Sequence, residues 1–170
     1  YFAAKDSTDY VKAIEDENSI NITEYNSFSM KDFTPVVRDV FKFTKSTDVN
    51  GDYIYVNPML FAHVEASPFV NEKRDLPVEF PNQTQYTVNV VLDIPEGYVV
   101  EDKPESCNIK MSDGGLSLLY NIVHQGNKLM LKYSFNLGSM MYLPSDYQEL
   151  KWFWDFVAEK NNAMLVLKKQ

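Results

Sequence analysis

Three groups of residues have the types and spacing to do chemistry. Asp48, Asn50 and Asp52 begin like a calcium loop, in which alternate side-chain oxygens converge on a hard cation. The helix-loop-helix form of that site also needs Gly at its sixth position and a bidentate Glu at its twelfth. Here Gly51 is fourth and the twelfth residue is Met59, so a polar hairpin tip accounts for the triplet. Cys107 is the single cysteine, with His63 and His124 as the two histidines that would serve it as base. It alternates with Ile109 and Met111, the pattern of a small side chain facing a core rather than of an activated thiolate. Carboxylates cluster at Glu15, Asp16 and Glu17 and at Glu101 and Asp102, which in an acidic chain reads as a solvated face. None of these groups makes a catalytic, cofactor-binding or metal site.

The most unusual local feature is aromatic. Trp152, Phe153 and Trp154 are consecutive, and Phe156 follows. Such a group suits a carbohydrate-stacking platform or a protein-docking surface. It also suits a helix that buries Trp154 on a sheet and covers the rim with its neighbours. Trp152, Phe153 and Phe156 are therefore the candidate interaction residues.

These residues need elements to hold them. Tyr86, Val88, Val90, Leu92 and Ile94 fall on alternate positions within 84–98, a strand with one face buried. At roughly 1.5–3 kcal/mol for each buried side chain, this run ranks first among the strands. Pro95-Glu96-Gly97 stops it. A second alternating pair, 116–122 and 129–137, joins through Gln125-Gly126-Asn127 and is the best hairpin in the chain. Cys107, Ile109 and Met111 alternate ahead of it, and short runs at 76–80 and 98–101 read as brief strands.

Residues 36–45 form a strand with Val37, Phe41 and Phe43 on one face, where Asp39 also falls. Asn50-Gly51 turns the chain toward a return strand at 53–56. Ile20, Ile22 and Glu24 share a side of an earlier strand. A short helix begins at Ser7-Thr8-Asp9, carries Tyr10, Val11 and Ile14, and ends near Glu17. A longer one begins behind Pro144, with Ser145 and Gln148 as a capping box and Tyr147, Leu150, Trp154 and Val157 on its apolar face. Met164 to Leu167 return as a last strand, with Lys168 and Lys169 in solvent.

With about eight to ten short strands and helices only near the ends, the pattern predicts a mainly β fold. Its form is an antiparallel β-sandwich, immunoglobulin-like or related, with a short N-terminal helix and a C-terminal amphipathic helix. The expected organisation is one domain over residues 1–170, with 1–17 open to assignment as a junction.

Composition narrows the function. The chain has 170 residues and a net charge of −8, the wrong sign for a nucleic-acid face. No run approaches the length of a membrane span. One cysteine excludes an internal disulfide framework. Asn21-Ile22-Thr23 and Asn82-Gln83-Thr84 match the glycosylation acceptor pattern, a frequent chance occurrence. The chain starts at Tyr1 with no leader pattern, which reads as a fragment or a processed product.

An ordered series of segments carries a resemblance. It runs through Asn57-Pro58-Met59-Leu60, Arg74-Asp75-Leu76-Pro77-Val78-Glu79-Phe80, Tyr86-Thr87-Val88 and Ile94-Pro95-Glu96-Gly97-Tyr98. It continues with Leu143-Pro144-Ser145-Asp146-Tyr147 ahead of Leu150-Lys151, then Val166-Leu167-Lys168-Lys169. From about Ile20 onward the chain resembles the C-terminal β domain of unknown function in bacterial exported proteins with a transglutaminase-like, papain-like core. The resemblance implies a non-catalytic accessory module whose partner is an upstream transglutaminase-like domain of the same polypeptide. It implies no cofactor, and an extracytoplasmic, periplasmic or cell-surface setting. The Cys-His-Asp residues of that family belong to its core domain, so Cys107 does not inherit a catalytic role. The alternative is an independent carbohydrate- or peptide-binding module, and a stand-alone hydrolase ranks last.

Overall fold

The computed structural model describes residues 7–28, 38–61 and 64–170. The chain falls into two units, Tyr1–Thr47 and Asp48–Gln170.

The first unit is a helix and a hairpin. Helix α1 (Ser7–Asn18) ends at Ser19, whose φ of 51° takes the left-handed form that closes a helix. Strands β1 (Asn21–Phe28) and β2 (Arg38–Thr44) pair antiparallel. Between Ile22 and Glu24 the register slips, so Thr23 is an extra residue. The slip corrects the expected face: Tyr25, not Glu24, shares the half-buried side with Ile22. Asp39 does lie on the face of Phe41 and Phe43, and its carboxylate accepts the hydroxyls of Tyr10 at 2.9 Å and Tyr25 at 3.1 Å. An acid on an apolar face is thus satisfied locally. Positions 36 and 37 of the expected strand lie outside the described residues.

The second unit holds two four-stranded antiparallel sheets. One has the order β6 (Thr84–Asp93), β10 (Lys128–Leu137), β9 (Leu116–Gln125), β8 (Cys107–Lys110). The other has the order β3 (Asp48–Asn50), β4 (Tyr53–Val56), β12 (Leu165–Lys169), β7 (Tyr98–Asp102). The return strand β4 therefore pairs with β3 and β12, whereas the strand at 38–44 belongs to the first unit. The expected strand at 76–80 shortens to β5 (Val78–Glu79), paired with β11 (Met141–Tyr142).

Both sheets feed one hydrophobic core, with Leu118, Tyr120, Leu131, Tyr133 and Phe135 from the first and Leu165 and Leu167 from the second. The mainly β, antiparallel reading holds, with two sheets sharing a core and one helix near each end of the chain. The centre of the larger sheet is the β9–β10 hairpin, whose inward residues are buried from Leu116 to Ile122 and from Leu129 to Leu137. Strand β6 alternates as expected, yet it is an edge strand and its inward residues are only half-buried. The rank given to it by counting side chains belongs to the hairpin.

Helix α2 (Tyr147–Asn161) follows a 3-10 turn at Pro144–Asp146. Its start is not the expected box. Asp146 reaches back to accept the Leu143 N–H at 3.0 Å, Ser145 donates to Asp146 at 2.9 Å, and Gln148 donates to the Glu72 carbonyl. The helix is tied to both flanks of β8. Glu149 accepts from Ser112 N–H at 2.8 Å and Ser112 hydroxyl at 2.7 Å, and Lys160 donates to the Glu105 carbonyl at 3.2 Å. At the C-terminal end Asn161, fully buried, donates to Val64 O at 2.8 Å and accepts from Asn57 through its carbonyl at 2.9 Å.

Candidate interaction surface

The three aromatic candidates separate on α2. Successive helical residues point about 100° apart, so neighbours in sequence face different ways. Phe153 is fully buried in the core beside Trp154, which corrects its place among surface candidates. Trp152 is 54% exposed, and its ring stacks on that of Phe156 with centroids 5.5 Å apart and planes 28° apart. One turn further, the Lys160 ammonium lies over the Phe156 ring at 5.4 Å. The outer face of α2 thus carries a ladder of Trp152, Phe156 and Lys160 at i, i+4 and i+8. Sequence alone pointed to this group but not to the member that turns inward.

Among the described residues, those with the types for catalytic or metal chemistry stay apart. Cys107 opens β8 and pairs across to Tyr120 on β9. His124 lies four residues beyond Tyr120, about 13 Å along the strand at roughly 3.3 Å per residue. Its Nε2 contacts the Gly126 carbonyl at 2.9 Å. Burial pushes the Cys107 thiol above its ordinary value, and nearby Lys160 only partly offsets this. The shift runs opposite to the lowering that activates a nucleophilic thiol. His63 lies outside the described residues.

Asp48 and Asn50 sit on β3 and pair with Tyr55 and Tyr53, while Gly51 turns the hairpin at φ 60°. This is the polar tip, and among the described residues no group of three His, Cys, Asp or Glu side chains could hold a metal. Three of the adjacent acids have structural partners. Glu15 accepts the Ile22 N–H at 2.6 Å, Asp102 accepts the Lys103 N–H at 2.8 Å, and Glu101 faces Lys168 at 3.6 Å. No described helix is long and apolar enough to cross a membrane.

A second surface was not apparent from sequence. On the outward face of the larger sheet, Met130 pairs directly with Val91 on β6 and with Val123 on β9. The row is 61%, 36% and 43% exposed at Val91, Met130 and Val123. Lys128 and Lys132 flank Met130 on the same face of β10.

No curated protein matches the chain. A crystal structure described as a "putative protease" from Parabacteroides distasonis ATCC 8503 matches with a TM-score of 0.55 at 15% identity. The match covers 68% of this chain and 23% of that one, and at this identity it speaks for the fold alone. The family model for DUF3858, a domain of unknown function with solved structure, matches residues 52–167, nearly all of the second unit. The chain belongs to the DUF3858 family.

Proposed function

We propose that this chain is a non-catalytic accessory module that packs on or positions a transglutaminase-like catalytic domain of the same exported polypeptide. The observation that carries the reading is the state of Cys107. The one cysteine is half-buried beside Tyr120, has a raised pKa, and lies about 13 Å along the strand from His124 at roughly 3.3 Å per residue. Its surroundings stabilise a core thiol and not a nucleophile. The matched structural region takes up 23% of a much longer chain, as a module within a larger protein would. The link to a transglutaminase-like core and the extracytoplasmic setting come from the ordered resemblance of the sequence.

The test uses the full-length polypeptide. Removing residues 48–170 lowers its thermal stability or changes its substrate choice, while Cys107→Ala leaves turnover unchanged. A full-length protein whose stability, turnover and selectivity survive the deletion would refute the reading.

A second reading rests on one feature, the half-exposed Trp152 stacked on Phe156. A flat aromatic pair of this kind suits stacking against a sugar ring or an extended peptide. Iodide then quenches Trp152 but not Trp154, and a bound oligosaccharide protects Trp152. Absence of any ligand-dependent change in its emission across soluble glycans and peptides removes this reading.

A further inference from the structure

We infer that the outward face of the β6-β10-β9-β8 sheet is the surface that docks the neighbouring domain, and that this domain meets it with an apolar centre and an acidic rim. The inference rests on the accessory-module reading and adds the surface and the chemistry of its partner.

The geometry comes from register. Val91, Met130 and Val123 are mutual cross-strand neighbours, so their side chains form one continuous aliphatic row across three strands. The rows on either side are polar: Asp93, Lys128 and Gln125 on one, Asn89, Lys132 and Asn121 on the other. A solvated sheet face has no need of an apolar row, whereas an interface is built from an apolar centre inside a polar rim.

Charge selects the occupant. The chain carries −8, yet this face holds Lys110, Lys128 and Lys132 against Asp93 alone. Asp93 pairs with Lys128 at 2.9 Å, and Lys132 makes no ion pair among the described residues. The face is therefore the opposite sign to the rest of the chain and complements carboxylates. A second copy laid face to face about Met130 would oppose lysine to lysine. A glycan or a nucleic-acid strand would want aromatic rings, and none stands on this face. An acidic protein surface fits both the row and its rim.

The experiment is peroxide oxidation of the methionines in the intact natural polypeptide, read by mass spectrometry. Met164, 39% exposed, matches Met130 and serves as its control, with the more exposed Met140 and Met141 as references. The expected result is oxidation of Met130 about tenfold slower than of Met164, because an interface core excludes solvent and oxidant. Lys132→Glu, an exposed change that spares the core, brings Met130 back to the rate of Met164. Equal rates in the unaltered protein overturn the inference. Protection that Lys132→Glu does not change overturns the acidic partner. If Met130 is open while Trp152 is shielded from iodide, the accessory-module reading stands and this surface is wrong. If neither is shielded and deletion of residues 48–170 also changes nothing, both fail.

Discussion

The Trp154 indole lies nearly parallel to the Phe80 ring, with centroids 5.9 Å apart and planes at 14°. Phe69 approaches the same indole edge-on at 6.0 Å and Phe135 at 5.3 Å. These rings come from the segment ahead of β5, from just after β5, and from β10. Trp154 therefore joins the helix, the larger sheet and the 64–80 segment. Two residues earlier, Trp152 points to the opposite side and meets only Phe156 among the aromatic rings described.

The two tryptophans should differ sharply in cost. Trp154→Ala leaves three rings facing a cavity, and such truncations cost about 3–5 kcal/mol. Trp152→Ala gives up one exposed stack, a loss of less than about 1 kcal/mol. Urea unfolding followed by circular dichroism measures both. Similar midpoints for the two variants would mean that α2 does not pack through Trp154.

How much of this was legible follows from what alternation encodes. Period two tells which side chains share a face, and it located β6, β8, β9, β10 and the inward residues of each. It does not tell how many strands lie beside or across from a given one. Hence Tyr86, Val88, Val90 and Leu92 read as core while standing on an edge. The 3.6-residue period placed α2, but an apolar arc wide enough to include Trp152, Phe153 and Phe156 does not say where burial stops. Asp39 looked like a defect because its partners, Tyr10 and Tyr25, lie 29 and 14 residues away. The Val91–Met130–Val123 row was hidden because its members lie on three separate strands and meet only through register.

Gly115 is a position where close approach demands glycine. A Cβ there would lie 2.6 Å from Tyr142 Oη, 2.8 Å from Asp113 Oδ2 and 2.9 Å from Ser139 Cβ. Its carbonyl also accepts the Gly138 N–H at 2.7 Å. Gly115→Ala must push these groups apart, at a cost of about 1–3 kcal/mol. Gly126, at φ 62° in the β9–β10 turn, has open space around it. Gly126→Ala costs only the left-handed backbone penalty, roughly 1–2 kcal/mol. Thermal melts distinguish them further: the first variant should disturb the near-ultraviolet signal of Tyr142, the second should not.

Cys107 should react slowly. Burial raises its pKa, so little thiolate is present at neutral pH and the sulfur is only partly accessible. Iodoacetamide should label the native chain at least about tenfold more slowly than the urea-unfolded chain at the same pH. Labelling as fast as in the unfolded chain would reveal an activated thiol and reopen the case for catalysis.

The Tyr10–Asp39–Tyr25 cluster makes the first unit sensitive to pH at both extremes. Burial alone would raise the Asp39 carboxyl. Hydrogen bonds from Ser27, Tyr10 and Tyr25 outweigh it and hold the group below its ordinary value. A carboxyl depressed in the folded state adds stability above its unfolded pKa, and that stability is lost as pH falls through the folded value. Tyr10 moves the other way. Burial, the Asp39 hydrogen bond and the Asp39 charge push it up to about 12. Its contribution is complete below the unfolded value of about 10 and disappears as pH rises from there toward about 12. Tyrosinate absorbance should therefore show Tyr10 among several late-titrating tyrosines, beside the buried Tyr120, Tyr133 and Tyr142, and Tyr10→Phe should lower that late amplitude by one group. In Asp39→Asn the charge is gone while burial remains, so the Tyr10 titration should move partway down. The same variant should flatten the acid limb of the unit's stability, read from backbone amide shifts of β1 and β2. An unaltered acid limb in Asp39→Asn would show that the two tyrosines hold the hairpin without the carboxylate.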